Sequence, residues 1–512
     1  MKTRLSFFWM ALIVCQAALG QIHIQVSDPE TWSAQELAPY IGKTVIFDVP
    51  MVLCSNDNGY TISTRRIFSP TNQVLPRSQE YFSIVSLNAS GRITLAGASG
   101  YHRCGEKIYN LTAKVNSTNS LTWVSGTWKG NTRKELDTLN IHRLIGTEDC
   151  DSCLTVCAYN LEWYSLEKTT KQEKINHALT RINADILGLI EIEGQPATRK
   201  AAVKWLNYTL RNRHYKAISE TKGEKEAQTV VFVYDSMRVK PLGSIQYNDT
   251  RVSNRKKMAC FELLSTGERF IYSLNHFKAK TGGGTGGNAD MRDGQGGWNA
   301  DRVEEAQSVA GEYKRWSRDI GEKDILIMGD LNALGKEDPI TTLKNNGMID
   351  LHRAFHADSS YSYQYQQCAG YLDHALCNTS MRPQVTGMMV LHANSDERRG
   401  YSESEAGNMY CASDHDPVVV GLKLNGSLIY DPAPKINNAD IFFGDATQMI
   451  IRDAYSDAHK SFYAIYNTSG HLLERHNIQS ELQEVALPNA PGLYIIYVYF
   501  NGQVYRHSIL VR

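Results

Sequence analysis

Asp330 and Asn332 follow the apolar run Ile325-Leu326-Ile327-Met328 in the stretch DILIMGDLNA, residues Asp324 to Ala333. Four apolar residues in a row read as a strand covered on both faces, and Gly329 lets the backbone change direction at its end. A carboxylate and a carboxamide at a strand end can hold a water and a phosphoryl oxygen, although GDLN is equally an ordinary Asx turn. Similar residues close other β-like runs: Asn160 with Glu162, Glu191, His276, Asp373, and Asp414 with His415 in the stretch Ser413 to Pro417. A hard divalent cation such as Mg²⁺ takes a few carboxylate oxygens and keeps several waters, a role open to Glu191, Glu162 and Asp414. A metal can cancel phosphoryl charge, and a histidine held by a carboxylate can take a proton from water.

The elements that must position these groups alternate between strand and helix. After Cys150 to Cys157, Leu154 to Tyr159 reads as a buried strand, and Ile175, Ala178, Leu179 and Ile182 recur at helical spacing. Further strands are expected at Ile186 to Ile190, Thr229 to Tyr234, Phe270 to Asn275 and Ile325 to Met328, with a helix from Val303 to Trp316. This is an α/β pattern with polar residues gathered at strand ends.

Six motifs in order, YNLEWY at 159–164, DILGLIEIE at 185–193, NHFKAK at 275–280, GDLNA at 329–333, YLDHALC at 371–377 and SDHDP at 413–417, resemble the endonuclease/exonuclease/phosphatase superfamily. The likeness runs from Cys153 to Leu424 and is strongest to the large secreted bacterial nucleases of the deoxyribonuclease I-like branch. It implies a four-layer sandwich, two mixed β-sheets face to face with helices outside. It also implies Glu191 as principal metal ligand with Asn160 beside it, Glu162 as a second acidic group, and Asp414 on the metal or its waters. Asp373 would orient His415, the candidate general base. Asp330 and Asn332 would position the attacking water and phosphate oxygens, and His276 would bind phosphate or protonate the leaving oxygen. His415 and Asp330 both remain candidates for taking the water's proton. Where some relatives pair the first histidine with a carboxylate, this chain has Gln228. The implied cofactor is Mg²⁺ or Mn²⁺, with Ca²⁺ as an alternative, and the implied substrate is DNA or RNA.

The glycine-rich stretch Thr281 to Asn299 lacks the Gly-Lys-Ser/Thr ending of a P-loop. Its portion DGQGGWN with Arg302 resembles a loop of the same nucleases, so it is expected to border the substrate groove. Asn299, Arg302, Lys278 and Arg255 are candidate substrate contacts, and Asp290 or Asp293 candidate second-metal ligands. Lys256 and Lys257 continue the basic run and can equally be solvated surface. His374 and Asp416 read as structural neighbours, and Glu193 as either facing away from the Glu191 side chain or supporting it.

The 512 residues carry 54 Lys plus Arg against 54 Asp plus Glu, so overall charge points to no polyanionic partner. Lys2, Arg4, the apolar run Leu5 to Ala18 and the small residues before Gln21 read as a secretory signal peptide over 1–20. No transmembrane segment is expected, and the protein is expected outside the cell or on its surface. Without Cys15 the cysteines number an odd count, with Cys54 and Cys104 the favoured disulfide and Cys150-Cys153 a local bridge. Residues 21–148 read as short strands of a small β-barrel-like domain, similar to oligonucleotide-binding barrels. Tyr60 and Tyr81 there could stack on bases, but ordinary packing is the simpler reading. Residues 150–424 are expected, on the resemblance, to form the catalytic domain. Residues 430–512 read as a C-terminal immunoglobulin-like β-sandwich ending in a hairpin about Asn501-Gly502. This tail resembles the sorting domains of the type IX secretion system, which implies a secretion-machinery partner. Two other functions fit the motifs: a lipid-headgroup phosphodiesterase or phosphatase of the same superfamily, and a non-catalytic surface binding protein.

Overall fold

The computed structural model describes residues 21–424 except 58, 149, 194, 219–228, 243–254 and 358. It also describes residues 440–511 except 446–447, 453–461, 468–470, 479–481, 487, 489, 491 and 501–502. The signal-peptide segment, the hairpin turn and Gln228 lie outside the described residues. The chain forms two compact units, Met1–Ser427 and Leu428–Arg512.

The first unit opens with strands β1 (Ile22–Ile24), β2 (Thr44–Phe47), β3 (Met51–Ser55), β4 (Tyr60–Ser63), β5 (Ile93–Ala96), β6 (Lys107–Ser117) and β7 (Ser120–Lys129). They make one seven-stranded mixed sheet in the order β1-β2-β6-β3-β4-β5-β7, with β6 also pairing with β7. This corrects the expected separate small barrel-like domain. Strand lengths and turn spacing give the number of strands, but pairing depends on register. The eleven-residue β6 reaches β2, β3 and β7, with register shifts along β7. Trp32, Leu37, Phe47, Leu53, Ile93 and Leu121 fill the core of this sheet.

The expected Cys54–Cys104 bridge is also corrected: both thiols are free and buried. The Cys54 thiol donates instead to the carbonyl of Arg65 at 3.4 Å. Cys150 and Cys153 are the disulfide, at the start of the next strand.

The α/β part holds two six-stranded mixed sheets. The first comprises β8 (Cys153–Tyr164), β9 (Ile186–Ile192), β10 (Tyr215–Ala217), β11 (Thr229–Asp235), β20 (Val385–Val390) and β21 (Val418–Lys423), ordered β10-β11-β9-β8-β21-β20. The second comprises β12 (Val239–Leu242), β13 (Lys256–Leu263), β14 (Arg269–His276), β15 (Ile325–Asp330), β16 (Met348–Asp350) and β19 (Asp373–Asn378), ordered β12-β13-β14-β15-β19-β16. Along the chain between β16 and β19, β17 (Tyr363–Tyr365) and β18 (Cys368–Gly370) pair as a small hairpin.

One core contains inward residues of both sheets, among them Val156, Ile190, Phe232, Tyr272, Leu326 and Val420. The sheets approach closely enough that a Cβ on Gly188 would lie 2.5 Å from Tyr272 Oη, so that position requires glycine. Helices α1 (Thr169–Ile182) and α2 (Pro196–Thr209) cover the outer face of the first sheet through Ile175, Leu179 and Leu206. Helix α3 (Asn299–Ile320) covers the second through Val309, Tyr313 and Trp316. Periodicity located α1 and α3 correctly and underestimated their lengths.

The second unit contains a three-stranded sheet, β22 (Asp440–Asp445), β23 (Gln448–Arg452) and β26 (Leu482–Ala486). It also contains a four-stranded sheet, β24 (Phe462–Asn467), β25 (Leu472–Asn477), β27 (Gly492–Phe500) and β28 (Gln503–Val511). The antiparallel β27–β28 pair runs in register from Gly492↔Val511 to Phe500↔Gln503. Among the described residues, no helix is long and apolar enough to cross a membrane.

Candidate active site

Pairing places three of the expected groups in one row across the second sheet. His276 on β14 is the register partner of Asp330 on β15, and Asp330 is the partner of Asp373 on β19. β15 reaches this row without turning at Gly329, which stays in the strand at φ +134°, where a Cβ would be 2.0 Å from the Asn275 carbonyl oxygen. From the facing sheet, Asn160 on β8 donates through Nδ2 to Asp330 Oδ2 at 3.0 Å and to Glu191 Oε1 at 3.2 Å. Glu191 on β9 and Asn332 beyond β15 both have positive φ, 56° and 47°. Such non-glycine conformations cost about 1–3 kcal/mol each and persist where surrounding contacts impose them.

His415 completes the group. Its Nδ1 lies 2.7 Å from Asp373 Oδ2, and its Nε2 is 3.8 Å from Asp330 Oδ2 and 3.9 Å from Asp414 Oδ1. His276 Nε2 is 3.6 Å from Glu191 Oε1 and 3.7 Å from Asp330 Oδ2. Burial favours the neutral form of each group, and neighbouring charges then divide them. Burial pushes the Asp330 carboxyl up to about 7, opposed by His415 and reinforced by Asp373. Burial would depress His415, but Asp373, Asp330 and Asp414 together hold it well above the ordinary imidazole value. The charge of Asp330 and that of His415 therefore depend on one another. His276 is driven well below its ordinary value by burial, then by Arg255 and His415, and is a neutral imidazole at pH 7. Burial raises Glu191, partly offset by the hydrogen bond from Asn160.

Asp330, Asp373 and His415 each offer a ligand atom within 4.8 Å of the others, a grouping able to hold a divalent metal ion. The donor set fits a hard cation. Asp373 Oδ1 is buried with no hydrogen-bond partner among the described residues, and the nearby Glu191 side chain retains 20% exposure. The three expected metal residues are placed differently. Glu191 joins this group through Asn160, and Asp414 borders it through His415. Glu162 is turned aside: Lys171 Nζ donates to its Oε2 at 2.7 Å and Arg399 donates to its Oε1.

The expected substrate contacts divide by burial. Lys278 is partly exposed, with Nζ 4.6 Å over the Trp298 ring, and Arg255 donates to the Phe277 carbonyl at 2.9 Å beside His276. Asn299 donates to Asp338 at 2.8 Å. Arg302 is corrected as a surface contact: it is fully buried, and its guanidinium donates to the carbonyls of Lys278, Gly297 and Gln295. Lys256 and Lys257 are likewise buried rather than open to phosphate, with Lys257 Nζ donating to Thr229 Oγ1 at 3.2 Å. Asp293 pairs with Arg77, and Asp290 caps the amide of Arg292 at 2.9 Å, so neither is drawn into the histidine–carboxylate group. His374 bonds the Ala333 carbonyl at 2.7 Å, and Asp416 accepts from Asn394 N at 2.8 Å, both structural roles. Glu193 accepts from Thr198 Oγ1 at 3.0 Å at the start of α2.

Several residues around the site carry no sequence signal. Ser362 Oγ donates to Asp373 Oδ2 at 2.7 Å, and the Tyr363 ring stands 4.8 Å from the His415 ring. Asn394 Nδ2 donates to the His415 carbonyl at 2.6 Å, while Asn394 Oδ1 accepts from Ala412 N at 2.9 Å. Arg399 Nη1 lies 3.7 Å from Asp414 Oδ2. The run YSYQYQQ and isolated Asn or Arg residues in loops have no periodicity or spacing to mark them, and only tertiary placement reveals their use.

Comparison with known proteins follows this geometry. A solved endonuclease/exonuclease/phosphatase family protein from Bacteroides thetaiotaomicron is 18% identical over 53% of this chain and 94% of its own, with a TM-score of 0.38. One from Bacteroides vulgatus is 14% identical over 53% of this chain and 99% of its own, TM-score 0.38. A mannosyl-6-phosphatase from Bacteroides thetaiotaomicron is 17% identical over 52% and 98%, TM-score 0.37. No curated protein matches the chain. The sequence model of the Endonuclease/Exonuclease/phosphatase family matches residues 157–415, which run from within β8 to His415 and include Asn160, Glu191, His276, Asp330 and Asp373. The chain belongs to the endonuclease/exonuclease/phosphatase family.

Proposed function

We propose that this protein is a divalent-metal-dependent phosphodiesterase that hydrolyses nucleic acid by in-line attack of water, leaving a 5′-phosphate and a 3′-hydroxyl. The observation that carries this reading is the Asp373–His415–Asp330 arrangement, with Asn160 joining it to Glu191. Asp373 holds the imidazole through Nδ1, which leaves Nε2 to take the proton of the attacking water. Asp330, which faces His415 Nε2, orients that water. Neutral His276 donates an N–H to a phosphoryl oxygen, and Asn160 and Asn332 fix the scissile group beside it. Of the Asp330–Asp373–His415 grouping, Asp330 together with the nearby Glu191 would hold the metal, leaving Asp373 and His415 to the proton transfer, and the metal when bound neutralises phosphoryl charge. Lys278 and Arg255 supply positive charge for the flanking backbone. The leader-like residues 1–20 and the sorting-like tail make extracellular DNA the substrate of choice, with RNA as the other candidate.

Purified protein with Mg²⁺ or Mn²⁺ is assayed against plasmid, linear DNA, RNA and sphingomyelin, before and after exhaustive chelation. Nucleic acid cleavage that chelator abolishes and metal restores is the expected result. Cleavage of lipid alone would replace the nuclease reading with the lipid phosphodiesterase one. Inactivity on all four would favour a binding role. Mass spectrometry of the exported form tests the two processing expectations directly.

A further inference from the structure

Two chains of contacts run from the N-terminal strands to the Asp373–His415 pair, and both pass through Arg66. Arg66 follows β4, and its side chain is 13% exposed. Its Nη2 donates to Gln364 Oε1 at 3.0 Å and to Asp396 Oδ1 at 2.8 Å, while the guanidinium lies 4.8 Å over the Tyr361 ring. One cation therefore grips two loops that are distant from it in sequence.

The first chain goes through Gln364 on β17. Gln364 Nε2 also donates to the Cys54 carbonyl of β3 at 2.5 Å, so β17 is held from behind by two points of the N-terminal sheet region. The preceding residues are the ones at the site: Tyr363 lies against His415, and Ser362 donates to Asp373 Oδ2. The second chain goes through Asp396, which is fully buried and also accepts from Asn131 Nδ2 and Tyr361 Oη at 2.8 Å each. Two residues earlier, Asn394 holds the His415 carbonyl and the Ala412 amide. Arg66 thus restrains the imidazole through Tyr363 on its face and through Asn394 on its backbone.

A base acts only when its lone pair is aimed at the reacting water, and a misplacement of about 1 Å can cost on the order of 100-fold in rate. Loops carrying catalytic groups need such restraint because their own local interactions do not fix them. Of the two N-terminal aromatics considered from sequence for base stacking, Tyr60 and Tyr81, the first does not compete with this role. Tyr60 is buried against Trp128 and His102.

We propose that Arg66 is a positioning residue for the hydrolysis, through which the N-terminal sheet sets the orientation of His415 and Asp373. This rests on the phosphodiesterase reading above. The N-terminal segment then contributes to turnover by holding the catalytic loops, not by binding nucleic acid.

The test uses the full chain carrying Arg66→Ala, Arg66→Lys or Gln364→Ala, with Mg²⁺ and bis(p-nitrophenyl) phosphate as substrate. Folding is checked by circular dichroism and melting, and the downfield Nδ1 proton resonance of His415 is followed by NMR. Gln364→Ala leaves the buried Arg66–Asp396 pair intact, so together with Arg66→Lys it decides the matter where Arg66→Ala fails to fold. The expected result is a fall in kcat of roughly 10–100-fold at near-constant KM, with the His415 resonance shifted or broadened. Arg66→Lys, which keeps the charge beside Asp396, recovers part of the loss. A folded Arg66→Ala enzyme with wild-type kcat, with an unchanged resonance, or with its defect confined to KM overturns the proposal; where Arg66→Ala does not fold, the same outcome for both Arg66→Lys and Gln364→Ala overturns it. Absence of hydrolysis by the wild-type protein would sink the functional reading instead, and the resonance alone then decides the positioning.

Discussion

His415 Nδ1 sits 2.7 Å from Asp373 Oδ2, while its opposite nitrogen points at Asp330 Oδ2 3.8 Å away. The two carboxylates come from neighbouring strands paired in register at these two residues, so the spacing is set by the sheet. The imidazole is clamped through Nδ1, and its Nε2 faces Asp330 and Asp414. His415→Ala is therefore expected to lose roughly 10²-fold or more in turnover, the scale of a lost general base. A purified, folded variant with near-normal kcat would remove His415 from that role.

The same pair gives a signed pH dependence. Asp373, Asp330 and Asp414 hold His415 above its ordinary value of 6.5 against the opposing effect of burial. The neutral form is the base, so kcat/KM falls as pH drops through the folded-state pKa. Asp373→Asn removes the largest raising influence. Its acid limb moves to lower pH, even as the maximal rate falls. For stability the sign reverses: protonated His415 favours the fold fully below 6.5, and that contribution disappears as pH rises through the raised pKa. A pH–rate profile of the two proteins, with melting curves over the same range, checks both statements.

Arg302 is buried and satisfies three backbone carbonyls of the loop leading into α3. Removing it leaves those acceptors without their donor. Arg302→Ala is expected to lower the folding free energy by about 3 kcal/mol. Cleavage between residues 281 and 297 by a protease should accelerate. Urea unfolding together with limited proteolysis provides the measurement, and an unchanged midpoint would show that the loop stands without the guanidinium.

Gly188 lies where the two sheets come closest. A Cβ there would meet Tyr272 Oη at 2.5 Å and Leu274 Cδ1 at 2.6 Å. Gly188→Ala is expected to cost about 1–3 kcal/mol through overpacking. Adding Tyr272→Phe removes the nearer obstacle, so the double variant should fall short of the summed single losses. Denaturant titration of the three proteins tests this.

The thiols give a covalent check on the fold. Alkylation of the unreduced, denatured protein followed by peptide mass spectrometry should label Cys54 and Cys104 and leave Cys150 and Cys153 joined. A recovered Cys54–Cys104 linked peptide would contradict the arrangement around β3.

The identity of the chemical groups was legible in the chain because strand ends carry local signals. Apolar runs of strand length stop at Asn160, Glu191, His276 and Asp330; pairing sets His276 and Asp330 in one row with Asp373, and the facing sheet brings Asn160 and Glu191 against it. Helix α3 was legible through Ala306, Ala310 and Tyr313 for the same reason, since periodicity reports a buried face. What the tertiary structure decided concerns long-range pairing and burial, which local sequence does not encode. β6 pairs with three partners instead of serving a separate barrel, and Arg302, Lys256 and Lys257 turn inward although a basic residue reads as surface. Glu162 belongs to Lys171 and Arg399, and Cys54 and Cys104 stay apart as thiols. Ser362, Asn394 and Arg66 have ordinary neighbours in sequence and acquire their work from partners outside their own elements, 11 positions away for Ser362, 21 for Asn394, and 298 and 330 for Arg66, because a hydrogen bond depends on where two atoms meet in space.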